Sequence, residues 1–320
     1  MSTIPPNSTV RAPQKSLLPL ATHFRMAAID IDGTLLGPDK QISAANASAV
    51  SWLIQSGIQV ILASARSHAS ALRIHQALQL DTPMVSSQGA LVQDVLTGTI
   101  LFRQDIPEAH VDTILQQAKS ENGTLLYFRT DAIYIAKRTP FSEGFESRGR
   151  HRLIECGDLS LFNGEGAQKL LWIDHPEQTK HRLERFKTEY KKHLGIEISH
   201  PEYLEITAVG VNKALGLQHV AEYYGIDASE VVAFGDGNND IPMFRWAGES
   251  VAMAHASPDA KASATTVSPA GDPSSSLARA VKNVFFSSDS HQRKRSGADL
   301  HAGQITTKPS ATVNVTSPSL

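Results

Sequence analysis

Two short acidic turns, roughly 200 residues apart, constrain this chain more than anything else in it. The first is Ala28-Ile29-Asp30-Ile31-Asp32-Gly33-Thr34-Leu35, an apolar run that carries two carboxylates at i and i+2 into a glycine turn. Side chains alternate along a strand, so both carboxylates start on one face. The pair can hold a hard cation and face a substrate. The second turn is Phe234-Gly235-Asp236-Gly237-Asn238-Asn239-Asp240, which follows the apolar run Val231 to Phe234 and opens a helical stretch. Its glycines let backbone approach a ligand, Asp236 and Asp240 can supply oxygen ligands to Mg2+ directly or through water, and Asn239 can fix a carboxylate or a water. Either turn alone also reads as solvated loop or helix cap. Together they predict a ligand crevice at the carboxyl ends of sheet strands.

Two weaker motifs fit a phosphate site. Ile61-Leu62-Ala63-Ser64-Ala65-Arg66 ends a strand with a hydroxyl and leads into a helix, whose first N–H groups favour an anion. Ser64 by itself reads more readily as an N-cap than as a catalytic residue. Gly210-Val211-Asn212-Lys213 puts a lysine at a helix start, where its charge opposes the dipole and needs another justification. Neutralising a phosphate would supply it.

The rest of the chain frames these motifs. Its 320 residues allow about two domains. Hydrophobic residues at 41% and charged residues at 19% are ordinary globular usage. A formal charge of -2 gives no global attraction to nucleic acid or an anionic membrane, so small ligands are the expected partners. The single cysteine, Cys156, excludes an intrachain disulfide and suits a reducing cytoplasm, and no apolar run is long enough for a membrane span. Residues 1–22 read as a disordered arm and 287–320 as a disordered tail. Between them, residues 23–91 and 202–286 carry alternating strand and helix patterns of an α/β core with a largely parallel sheet. Expected core elements include a helix from about Ser43 to Ile54, strands at Met84 to Ser86 and Val231 to Phe234, and a helix from about Lys213 to Tyr224. Residues 92–201 read as a mixed α+β insert, with a hairpin turn at Thr97-Gly98 and helices near Pro107 to Lys119 and Pro176 to Lys192.

The four motifs, in this order, resemble the haloacid dehalogenase (HAD) superfamily, in particular its Cof-like sugar-phosphatase branch, over about residues 25–286. The resemblance implies a Rossmann-like parallel-sheet core with a large inserted α+β cap domain. It implies a small phosphorylated metabolite as partner and a Mg-dependent phosphatase acting on small phosphate monoesters, sugar phosphates among them, through an aspartyl-phosphate intermediate. Asp30 is then the nucleophile and Asp32 the acid and base. The metal ligands carried over are the Asp30 carboxylate, the Asp32 backbone carbonyl and the Asp236 carboxylate, with Asp240 in support. Ser64, Lys213 and Asn239 would bind the phosphoryl group. Ser87-Gln88-Gly89-Ala90 and Val251-Ala252-Met253-Ala254-His255-Ala256 depart from the family pattern without removing a ligand or nucleophile, and leave the substrate open. Cap contacts to substrate are expected from Arg129 and from Arg148 and Arg150 of a basic cluster. A phosphomutase of the same superfamily and a non-catalytic sugar-phosphate sensor stay open as alternatives. So does an adaptor working through the tail cluster His291 to Arg295 and Lys308, although a pure binder needs neither nucleophile nor acid/base.

Overall fold

The computed structural model describes residues 22–149 and 152–286; the expected tail, nearly all of the expected arm, and Arg150 lie outside the described residues. Along the chain come β1 (Met26–Ile29), α1 (Ala44–Gln55), β2 (Gln59–Leu62), α2 (His68–Ala77), β3 (Met84–Ser86), β4 (Leu91–Gln93) and β5 (Ile100–Arg103). Then follow α3 (Glu108–Ser120), β6 (Thr124–Phe128), β7 (Ile133–Ile135), α4 (Pro140–Gly149), β8 (Leu153–Glu155), β9 (Lys169–Ile173), α5 (Pro176–Tyr190), β10 (Leu194–His200) and β11 (Tyr203–Ala208). The last stretch holds α6 (Lys213–Tyr224), β12 (Val231–Gly235), α7 (Ile241–Trp246), β13 (Glu249–Ala252), α8 (Pro258–Ser263), β14 (Thr266–Val267) and α9 (Ser276–Phe286).

Five strands form a parallel sheet in the order β14-β13-β12-β1-β2. It is buried on both faces, as parallel sheets are when helices cover them. Alternate residues of its strands feed two cores: Ala27, Ile29, Val60, Leu62, Val232 and Phe234 pack with α1 and α9 on one side. Met26, Ala28, Ile61, Val231 and Ala233 pack with α6 and α7 on the other. The chain reaches β2 on one side of β1 and later β12 and β13 on its other side, so the strand order reverses at the β1/β12 junction. A crevice opens beyond the strand ends at such a reversal. Asp30 follows β1 and Asp236 follows β12, so both acidic turns meet there.

Local chemistry explains the helix ends. Ser43 accepts from the Asn46 N–H at the start of α1, and Asn212 accepts from the Leu215 N–H at the start of α6. Gly225, in the left-handed region at φ 60°, stops α6.

β3 departs from the expected parallel arrangement. It touches β2 through a single parallel bridge, Ala63 to Val85, and otherwise pairs antiparallel with β4 in a three-stranded sheet with β5. The cause is the turn after it: Ser87, Gln88 and Gly89 all have positive φ (50°, 65° and 104°), which folds the chain back before a crossover helix can start. Gly89 is required there by contact as well, because a Cβ would lie 2.1 Å from the Asn212 carbonyl oxygen. The Thr97-Gly98 turn joins β4 to β5 as expected, and Val92, Leu101 and Phe102 of this hairpin pack with α6.

Six strands in the order β10-β11-β9-β6-β7-β8 make a separate sheet between β5 and α6. Its core, around Tyr127, Phe162, Trp172 and Phe186, is distinct from those of the parallel sheet. Position 92 therefore falls inside β4, and position 202 falls between the paired strands β10 and β11. The two linkers, at 104–107 and 209–212, run together: the Gln104 side-chain amide donates to the Val209 carbonyl at 3.0 Å. Among the described residues no helix is long and apolar enough to cross a membrane.

Candidate active site

The carboxylates of Asp30, Asp236 and Asp240 each place one oxygen within 4.8 Å of the others. The turns are held this close by Gly33, at φ 84°, where a Cβ would lie 2.2 Å from an Asp236 carboxylate oxygen. Thr34 donates its hydroxyl to Asp236 at 3.2 Å, and the His255 ring contacts the Gly33 carbonyl at 2.8 Å and Asp236 at 3.7 Å. Lys213, fully buried, reaches between the strands to pair with Asp30 and, at 2.6 Å, with Asp240. That is the justification its place at a helix start required. The second oxygen of Asp240 accepts from the backbone N–H groups of Asp236 and Gly237 at 2.8 and 2.9 Å, so Asp240 shapes the loop that presents Asp236.

One ammonium therefore pairs with two carboxylates, and a third, Asp236, lies beside them. Burial and the neighbouring Asp240 and Asp236 charges hold Asp30 well above the usual carboxylate range, against the pull of Lys213. Burial and the Asp240 charge push Asp236 up to about 6, opposed by His255 and Lys213. Burial works against the Lys213 charge, but Asp240 and Asp30 outweigh it and hold the ammonium above its ordinary range. An oxygen-only donor set with surplus negative charge, at the end of a parallel sheet, fits a hard divalent cation.

Asp32 lies in a different field two residues away. Burial would raise it, yet the Arg66 guanidinium, donating at 2.6 and 2.8 Å, and Lys40 at 3.0 Å hold it below the usual range. Ser64 is buried at the carboxyl end of β2 and accepts from the Arg66 N–H at 3.1 Å, which orients the residue that holds Asp32. Ser64 does not cap α2; Ser67 occupies that position. Asn239 donates to Gln88 at 3.4 Å, and Gln88 in turn donates to Glu197 of β10 at 2.8 Å, so a departure from the family pattern bridges the second acidic turn to the six-stranded sheet.

The structure thus brings together Asp30, Asp236, Asp240 and Lys213, with Asp32, Ser64 and Asn239 around them. Of the expected cap arginines, Arg129 pairs with Glu165 and lies over Phe162, and Arg148 pairs with Glu202 at 3.1 Å and lies over Tyr203. Sequence reading gave no role to Arg66, Lys40 or Lys169. Arg66 carries a signal, two residues beyond Ser64. Lys40 and Lys169 carry none, since only folding shows that Lys40 meets Asp32 and that Lys169 donates to the Ala65 carbonyl at 2.9 Å.

Comparison with known proteins agrees with this geometry. An HMP-PP phosphatase of Escherichia coli O8 (strain IAI1) is 28% identical over 240 residues, covering 74% of this chain and 87% of that protein. A haloacid dehalogenase-like hydrolase of Bacteroides thetaiotaomicron superposes with a TM-score of 0.76 over 82% of this chain and all of that one, at 22% identity. A second protein of that organism, studied among the phosphatases of the haloalkanoate superfamily, is 26% identical with a TM-score of 0.70, covering 84% of this chain and 98% of its own. The model of the haloacid dehalogenase-like hydrolases matches residues 27–281, from the first residues of β1 into α9, and the chain belongs to that family.

Proposed function

We propose that this chain is a Mg-dependent phosphatase of small phosphate monoesters, with sugar phosphates the first class to test, and that turnover passes through a phosphoryl group carried on Asp30. The observation that carries this reading is the cluster of three carboxylates, two of them paired with one buried ammonium, in which Asp30 follows β1 and is flanked by a separately held second carboxylate, Asp32. The relative named as a phosphatase supports the reaction class.

Asp30, Asp236 and the Asp32 backbone carbonyl would hold Mg2+, with Asp240 positioning the loop. When bound, the cation screens the repulsion between the Asp30 carboxylate and the phosphate dianion. Asp30 attacks phosphorus in line; the P–O bond to the leaving group breaks as the bond to the Asp30 oxygen forms. Lys213, Ser64 and Asn239 bind the phosphoryl oxygens, and Lys213 offsets charge that develops there. Asp32 protonates the leaving oxygen and then takes a proton from the water that cleaves the acyl phosphate, so one residue serves both steps. Arg66 and Lys40 hold Asp32 as a carboxylate in this structure, so the acid step requires that grip to loosen when substrate enters. The six-stranded unit, bounded by about 104 and 208, acts as a cap that closes about the two linkers and excludes water. Ser87 to Gln168 at 2.9 Å, Gln88 to Glu197 and Lys169 to Ala65 support this as the closed contact.

Hydrolysis of a chromogenic phosphate monoester, measured with Mg2+, with EDTA and with Asp30→Asn, tests the reading. Activity is expected with Mg2+ alone and lost in both controls. No phosphate release from that ester or from a sugar-phosphate panel would sink it.

A further inference from the structure

A cleft of about 380 Å³ separates α2 from the outer edge of the six-stranded sheet. Ser67, Ser70 and Arg73 line one wall; Ile133, Arg152 and Ile154 line the other. The volume is that of a small-molecule pocket. Three of its polar groups, Ser67, Arg73 and Arg152, leave capacity for a ligand. Ser67 precedes α2 and is only 3% exposed, yet its hydroxyl caps none of the helix N–H groups. A buried hydroxyl at a helix start with no acceptor role filled leaves a donor-rich corner. Arg73 lines the cleft from α2 and Arg152 from the residue before β8, and neither has an ion-pair partner among the described residues. The one acid on the lining, Asp131, is already engaged by the Tyr134 hydroxyl at 2.6 Å and by Arg129 at 3.5 Å. Two like charges lining one cleft repel, and an anion bound there offsets the repulsion.

The cleft also adjoins the reaction centre. Ser70 accepts from Arg66 Nη1 at 3.2 Å, while Nε and Nη2 of the same guanidinium hold Asp32. We propose that the cleft is a second anion subsite, which takes a second phosphate group of the substrate while the first is at Asp30. This rests on the phosphatase reading above and narrows it to doubly phosphorylated substrates. Ile133 and Ile154 give the cleft an apolar side against which the carbon skeleton between the two phosphates can lie.

The test uses Arg73→Gln, Arg152→Gln and the double variant of the full chain. Steady-state kinetics are measured on a phosphate monoester with a neutral leaving group and on the same skeleton carrying a second phosphate. Each single variant should raise KM for the doubly phosphorylated substrate about fivefold and the double variant at least about tenfold, as expected for lost charge-assisted hydrogen bonds. Both kcat and the singly phosphorylated substrate should be untouched. Equal effects on both substrates, or on neither, overturn the subsite. Inorganic phosphate that alters turnover of the singly phosphorylated substrate through Arg73, without the KM selectivity, also overturns it, in favour of a free anion as occupant. If no ester is hydrolysed, the phosphatase reading fails by itself. Calorimetric binding of the doubly phosphorylated compound then decides the cleft: weaker binding to the double variant upholds the subsite, and unchanged binding overturns it.

Discussion

Among the described residues two lysines are buried, one on a strand of the six-stranded sheet and one at a helix start beside the parallel sheet, and they are buried on different terms. Lys169, on β9 of the six-stranded sheet, is 3% exposed and pairs with Glu205 of β11 at 3.0 Å, while also donating to the Ala65 carbonyl. It makes a single ion pair, with Glu197 near enough to feel both partners. Lys213, at the start of α6, is fully buried and pairs with both Asp30 and Asp240, with Asp236 close by as a third carboxylate. Burying an unmatched charge is costly. A balanced buried pair is a structural clasp, whereas a surplus of carboxylates tolerated next to a single ammonium marks a place that stability alone would not build. His68, on α2, is a third case: burial without a carboxylate partner pushes it down to about 4, with His75 adding to the shift.

The sharpest break would come at the nucleophile. Asp30→Asn keeps size and packing and removes one of the surplus charges, so turnover should fall at least a thousandfold, about 4 kcal/mol of barrier, while stability holds or rises. Near-normal turnover in that variant would remove Asp30 from the chemistry. Lys169→Met should unfold at lower denaturant, with a loss of about 3–5 kcal/mol, because Glu205 is left buried and unpaired. Divalent cations should not restore it. Lys213→Met should lower turnover by roughly a hundredfold through lost charge stabilisation. Its stability, in contrast, should recover substantially when Mg2+ is added, because a cation can take over part of the field that the ammonium supplied. Equal recovery of both variants, read by thermal melts with and without Mg2+, would erase the distinction between clasp and site.

Smaller effects refine the same picture. Mg2+ at a hundred times its dissociation constant should stabilise the unaltered chain by about 2.7 kcal/mol, and Asp236→Asn should shrink that gain. The histidine gives a pH signature. Its folded pKa lies below the unfolded value near 6.5, so below that pH the unfolded chain takes up a proton that the folded chain refuses. Stability is then fully present above about pH 7 and declines as pH falls toward 4, by roughly 1 kcal/mol at pH 5.5. Urea melts of the unaltered chain and of His68→Gln should diverge over that window; identical slopes with pH would show that His68 is not titrating.

Local signals made much of this readable in advance. The helix from Lys213 to Tyr224 is announced by Asn212 at its start and Gly225 at its end, and the strand Val231 to Phe234 by its unbroken apolar run. The short strand β8, the helix α4 and the strand β11 went unread, because Pro140 to Gly149 is interrupted by glycines and polar residues, and Tyr203 to Ala208 alternates weakly. Their order comes from neighbours in the sheet rather than from their own periodicity. The direction of β3 escaped for a related reason: three residues cannot declare whether their partner lies parallel or antiparallel.

The sequence by itself determined which carboxylates would gather at the ends of the parallel strands, because each acidic turn is a local pattern tied to the end of an apolar strand. The tertiary structure alone decided what those residues feel. Asp30 and Asp32 are chemically identical and two positions apart, yet one is pushed up by burial and two carboxylates and the other is pulled down by Arg66 and Lys40. It also decided that Lys169 would reach Ala65 and that Arg73 and Arg152 would line one cleft. Charge acts through space and burial removes the solvent that would screen it, so these relations follow from how the chain is folded and not from spacing along it.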